Sequence, residues 1–256
     1  MVNRLLGFLT LLSLLGFSAC QDTDQPTGDL ALNFTATYAD APLVLLAETY
    51  TYPSGVPLRA QLVHYFISDL SLLKSSTSDE GAQLLSEIEL VAHDNTYDEE
   101  SARAGVTFSF TDLPAGNYSA IRLGLGVAPR LNASQPGDYT AGHPLSQNYW
   151  SPATDYIFAK VEGTADLDAD GEFETGLTYH MGADELYTEL VFPVSVRIQE
   201  GRPARVEFTL DLSQVFTAAD GSYLDISDPN LTIDHTIKPE VYEFLWTNMQ
   251  RALRVR

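Results

Sequence analysis

Apolar and polar residues alternate with a period of two through most of this chain, the signature of half-buried β-strands. "LALNFTATY" reads as a first strand and "APLVLLAETYTYPSG" as a second extended piece turning at "PSG". "LRAQLVHYFISDLSLL" predicts a long strand, with Val63, Tyr65 and Ile67 on one face and His64, Phe66 and Ser68 on the other. "QLLSEIELVAHD" fits helix or strand, and its neighbours favour strand. "DNTYDEESARAG" is an acidic loop, and "VTFSFTDL" a further strand. A tight turn follows at "LPAGNY", where Gly116 is expected at positive φ, and then "SAIRLGLGV". Gly124 and Gly126 share a face there, where something can pack against bare backbone.

Residues 139 to 181 read as loop, strand, turn, strand, with the acidic turn "DLDADG" between "YIFAKVEG" and "FETGLTYHMG". "LYTELVFPVSVRIQ" and "ARVEFTLDLSQVF", separated by "EGRP", predict two more strands of an antiparallel sheet. One helical stretch stands out, "PEVYEFLWTNMQRALRV", where Val241, Phe244, Leu245, Met249 and Leu253 recur at three to four residues. The fold class is therefore mainly β: an antiparallel β-sandwich with loop insertions and a short C-terminal helix.

The first 20 residues break the pattern. "MVNRLLGFLTLLSLLGFSAC" has a basic start, an apolar run and small residues before Cys20, as in a secretory signal. It resembles a bacterial lipoprotein signal cut before Cys20, whose thiol would carry the lipid. Residues 1–19 are then a signal peptide, 20–29 a lipidated N-terminus and polar tether, and 30–256 one sandwich domain. The expected location is the bacterial cell envelope, lipid-anchored, at the outer membrane facing periplasm or exterior. Cys20 is the only cysteine, which excludes an intrachain disulfide and a thiolate metal cluster. A formal charge of -21 repels nucleic acid and anionic headgroups and favours cations, basic proteins or plain solubility.

The five histidines form no HxH or HExxH element, so a metal site must be assembled by the fold. An isolated histidine is more often a surface or packing residue than a ligand. His180, followed by Met181, and His235, beside Asp234, stand out. Imidazole suits copper and zinc, a thioether favours cuprous copper, and a carboxylate such as Asp234 can orient a ligating ring. Asp166, Asp168, Asp170 and Glu172 resemble the opening of a calcium loop, but Leu177 stands where the helix–loop–helix type needs glutamate, so a solvated hairpin turn explains them too. Enzyme signatures are thin: no nucleophile elbow, phosphate loop or singled-out carboxylate pair occurs.

"HYFISDLSLL", "LLSEIELVAHD", "LPAGNYSAIRLGLGVAPRLN", "GHPLSQNYW", "DYIFAKVEG" and "TYHMG" occur here in an order that resembles the MbnP-like family. The resemblance spans roughly residues 30 to 240. It implies a secreted or lipid-anchored copper-binding protein of methanobactin operons. In some members a tryptophan is oxidised to kynurenine by a dihaem partner related to cytochrome c peroxidase. Carried onto this chain, the ligand set is His180, His235 and His143, with Trp150 the modifiable residue; the residues themselves add Met181 as a soft auxiliary donor. The sequence departs from the family at "NFTAT", which lacks a histidine, and at Asn148 and Pro152 beside Trp150. The reading is a non-enzymatic copper-acquisition or copper-handling lipoprotein in which His143, His180 and His235 converge. The alternative is a non-catalytic, calcium-stabilised binding module at the cell surface. An envelope hydrolase would need a cleft with spaced carboxylates.

Overall fold

A computed structural model describes residues 25–151 and 155–256. The signal, Cys20, residues 21–24 of the tether and Pro152 lie outside the described residues, and the end of the expected tether is already strand from Thr27. The long strands are β1 (Thr27–Tyr38), β2 (Pro57–Leu73), β3 (Gln83–His93), β4 (Val106–Pro114), β5 (Gly116–Leu125), β6 (Ala159–Ala165), β7 (Thr175–Met181), β8 (Thr188–Ile198) and β9 (Ala204–Asp211). The helices that matter here are α1 (Glu99–Ala104), α2 (Leu212–Phe216) and α3 (Pro239–Ala252).

These strands form two sheets facing each other across one core. In the smaller, β1 lies between β9 and β4, and Leu253–Val255 pairs with the outer edge of β9. In the larger the order is β8, β5, β2, β6, β7 and the two-residue strand Ile233–Asp234, with β3 on the other side of β2. The sheets are mixed rather than wholly antiparallel: β1 runs parallel to β9, and β7 parallel to Ile233–Asp234. Phe34 stacks on Phe208 at 4.8 Å, and Phe192 meets Phe208 edge-on at 5.2 Å, joining the layers.

β2 organises the larger sheet. Along one edge it pairs first with β6 and then with β5. The hand-over is at Phe66, whose N–H donates to Phe158 and whose carbonyl accepts from Gly126. Gly126 has φ +96°, and a Cβ there would press on the Phe158 ring. At Gly124 a Cβ would collide with the Tyr187 ring. The close approach expected at these two glycines is thus real.

Several expectations are corrected. Gly116 is not at positive φ; it opens β5, and Asp112 takes the left-handed conformation instead. β8 and β9 are not strands of one antiparallel sheet: β8 pairs with β5 and β9 runs parallel to β1, so the intervening turn crosses between sheets. The acidic loop contains α1, capped by the Asp98 side chain on the Ser101 N–H. The stretch after β1 is mostly turn, with strand only at Ala41–Pro42 and Tyr50–Thr51. Helix α3 ends at Ala252, and the chain returns as strand. No helix among the described residues is long and apolar enough to cross a membrane.

Candidate metal centre

The outer face of the larger sheet carries a row of polar side chains. His64 on β2, Lys160 on β6 and His180 on β7 are register partners, so they lie side by side across three strands. Glu162 shares their face, two residues along β6. Its carboxylate lies 2.7 Å from His180 Nε2. A carboxylate only accepts, so Nε2 carries the hydrogen and Nδ1 presents its lone pair. That Nδ1 is buried and has no hydrogen-bond partner.

The second histidine arrives from another part of the chain. Ile233–Asp234 adds to the edge of β7, and His235 follows it. The His235 and His180 rings lie 4.9 Å apart, and His235 Nδ1 is also buried without a partner. Trp150 completes the cluster, its ring 4.5 Å from His235 and 5.6 Å from His180. Trp150 is 46 % exposed, so one side of the indole faces solvent. The cavity lined by Trp150, Tyr156, Ile157, His180, Gly182, His235 and Thr236 has about 10 Å³, room for one atom-sized guest.

The framework is tightly held. Thr236 is β-branched yet has φ 59°, a costly conformation. Two bonds of its hydroxyl offset that cost: Oγ1 accepts the Gly182 N–H and donates to the His180 carbonyl. A Cβ at Gly182 would collide with the Tyr156 carbonyl oxygen, so glycine lets the two segments close around the site. Asn148 has φ 59° and its carbonyl accepts the Ile157 N–H, setting the turn that presents Trp150. Asparagine is one of the few residues that tolerate this conformation. Burial pulls the His180 pKa below the ordinary histidine value, against the opposing pull of Glu162. The ring is thus held neutral, the form a metal requires.

The structure places the sequence candidates unevenly. His180, His235 and Trp150 come together. His143 does not join them: its Nδ1 accepts the Leu145 N–H, and its ring stacks on Tyr139 at 4.1 Å. Met181 points to the opposite face of β7 from His180 and is wholly buried in the core. Asp234 does not orient His235; its oxygens accept the backbone N–H groups of Thr236, Ile237 and Lys238. Glu162, Gly182 and Thr236 were not singled out in sequence. Strand alternation puts Glu162 on the outer face, but only the β6–β7 register brings it to His180.

In the acidic turn, Asp166, Asp170 and Glu174 place oxygens within 4.8 Å of one another. Asp168 and Glu172 are not in that group, and Glu174 takes their place. Among the described residues this is the group of three or more histidine, cysteine or carboxylate donors so close.

Compared with known protein families, residues 27–235 match MbnP. The chain belongs to the MbnP family. Among solved structures, MbnP from Methylosinus trichosporium is similar, at 13% sequence identity and a TM-score of 0.49, covering 74% of this chain and 78% of that one. No curated protein sequence matches. The matched range of the MbnP family contains every residue of the His180–His235–Trp150 cluster.

Proposed function

We propose that this MbnP-family chain is a lipid-anchored envelope protein, not itself an enzyme, that binds copper for acquisition or handling. The observation that supports it is the pair of buried, unpartnered imidazole nitrogens on His180 and His235, set 4.9 Å apart ring to ring around an atom-sized cavity. Burying an unmet nitrogen costs about 1–3 kcal/mol, and a bound cation removes that cost for both rings at once. Two nitrogens suit cuprous copper, which accepts few donors, better than structural zinc, which takes four. Trp150 lies where its ring face would stabilise a monovalent cation. Glu162 holds His180 in the tautomer that presents Nδ1, as a carboxylate behind a ligating histidine does.

Trp150 is also the residue we assign to oxidation by a dihaem partner, its exposed edge giving access. The test is metal analysis and intact mass on protein purified from its native envelope. Stoichiometric copper and a mass shift mapped to Trp150 are expected. A chain that holds no copper as isolated and takes up none in a histidine-dependent way would end the copper reading. Binding should weaken from neutral pH to about pH 5, because protons compete for imidazole nitrogen.

A second reading, a calcium-stabilised surface binding module, is favoured by the Asp166–Asp170–Glu174 group alone. The two readings are compatible, since the acidic turn lies at the far end of the hairpin that carries His180.

A further inference from the structure

The 14 basic residues of this acidic chain are not spread evenly. Arg197, Arg202 and Arg205 line one hollow of about 370 Å³ at the turn between β8 and β9. Lys74 and Arg197 line an adjoining hollow of about 300 Å³ at the start of β5. The two share Ser195, Val196 and Arg197 and so form one groove. No carboxylate lines either hollow. Glu207 flanks the groove, paired with Arg205 at 3.1 Å, and Glu200 lies in the same turn. Arg197 and Arg202 have no ion pair among the described residues, and Lys74 sits over the Tyr118 ring at 3.9 Å. Asn117, Ser119 and Gln199 add hydrogen-bonding groups. Guanidinium groups free of carboxylates are suited to phosphate oxygens.

Position gives the groove its occupant. The chain enters the fold at this end: the Pro26 carbonyl accepts the Ala115 N–H, and Gly28 packs against the backbone of Gln199. Lys74, just past the end of β2, lies ten residues from His64, the register partner of the metal-site row. At about 3.3 Å per residue that is roughly 30 Å. The screening length at physiological salt is about 8 Å, so carboxylates far from the groove do not cancel its local field.

We propose that this groove binds the phosphates of an anionic lipid surface, the surface to which the N-terminal segment leads. The contact fixes the domain's orientation and holds the His180–His235 site facing away from the bilayer. This goes beyond metal binding and does not depend on it; it rests on the lipid-anchored reading of the N-terminus.

The test compares the full chain with its Arg197→Glu/Arg202→Glu/Arg205→Glu variant. Both carry the same N-terminal segment, so their difference isolates the groove. Each is sedimented with phosphatidylcholine vesicles with and without phosphatidylglycerol. The wild type should gain affinity on the anionic vesicles, more at low salt, and the variant should not. A single Arg202→Gln change should cost about fivefold, and keeps the test valid if the triple variant fails to fold. Equal binding of wild type and Arg202→Gln to anionic vesicles would overturn the proposal. So would displacement of the wild type by inorganic phosphate at the vesicles' own phosphate concentration, since that outcome assigns the groove to a soluble anion.

Discussion

The hairpin formed by β6 and β7 carries a candidate cation site at each end, and the two are built in opposite ways. At the open end, His180 meets His235 and Trp150, and two ring nitrogens are buried with nothing to bond. At the turn, the carboxylates already have partners. Asp166 accepts the N–H groups of Asp170 and Gly171, and Asp170 accepts that of Glu172. Only Asp166 of that trio is buried. The acidic end therefore satisfies itself as an ordinary hairpin turn, whereas the histidine end is incomplete. A cluster of ligand-type residues is common on an acidic surface; buried ring nitrogens without partners beside a cavity are the more informative sign.

The strongest way to break this contrast is to remove one donor from each end. His180→Ala or His235→Ala leaves a single nitrogen, and stoichiometric copper should be lost. Asp170→Asn should leave copper unchanged. The metal-to-protein ratio after gel filtration reads both, and one copper per chain in either histidine variant would refute the two-nitrogen site.

His93 probes the premise itself, because it too has both ring nitrogens buried and unpartnered. It differs in lying wholly in the core, beside Tyr65 with its ring 6.3 Å away and with His64 near enough to lower its pKa further. Burial pushes its pKa down to about 4. In the unfolded chain the value is about 6.5. The unfolded state therefore binds more protons between these values. The stability is fully present above pH 6.5 and is lost as pH falls toward 4, by about 3 kcal/mol at most. His64 and His180 are also shifted down and add to the same slope. Urea melts across this window should flatten measurably in His93→Leu, and copper at neutral pH should be retained. An unaltered slope would mean that His93 is hydrated in the folded state.

Glu162→Gln sharpens the histidine end more gently. The amide can still bond Nε2, but as a neutral group it no longer favours the tautomer that frees Nδ1. Copper affinity should fall about 10- to 100-fold, with stoichiometry preserved. Loss of stoichiometry would make Glu162 a ligand rather than a positioning residue.

Much of the fold was legible because the alternation that marks a strand is the same alternation that buries one face of it. β2 is the clear case: its long apolar run predicted a strand that turns out to be paired along both edges. What alternation does not carry is register and pairing. β8 and β9 read as strands of one antiparallel sheet since each is a good strand and the turn between them is short, yet they belong to different sheets. The metal centre shows the same limit. His180 and His235 are 55 positions apart in sequence, and they meet because a two-residue strand adds to the edge of β7. Met181 followed His180 in the chain, and that adjacency is what sends it to the other face.

The smallest expected effect belongs to the acidic turn. If calcium completes it, the ion must displace little, because the backbone N–H bonds to Asp166 already hold the loop. Stabilisation then follows occupancy alone, about 1.4 kcal/mol at ten times the dissociation constant. For a domain of this size that is roughly 3–6 °C in the thermal midpoint. Asp170→Asn or Glu174→Gln should abolish the shift, since each contributes one of the three converging oxygens. Asp168→Asn should not, because Asp168 lies outside the group. A midpoint that ignores calcium in the wild type leaves a solvated hairpin turn. A shift that survives Asp170→Asn but not Asp168→Asn would show that the loop rearranges around the ion. In that case the alternating aspartates read from the sequence, rather than the trio gathered by the fold, describe the bound state.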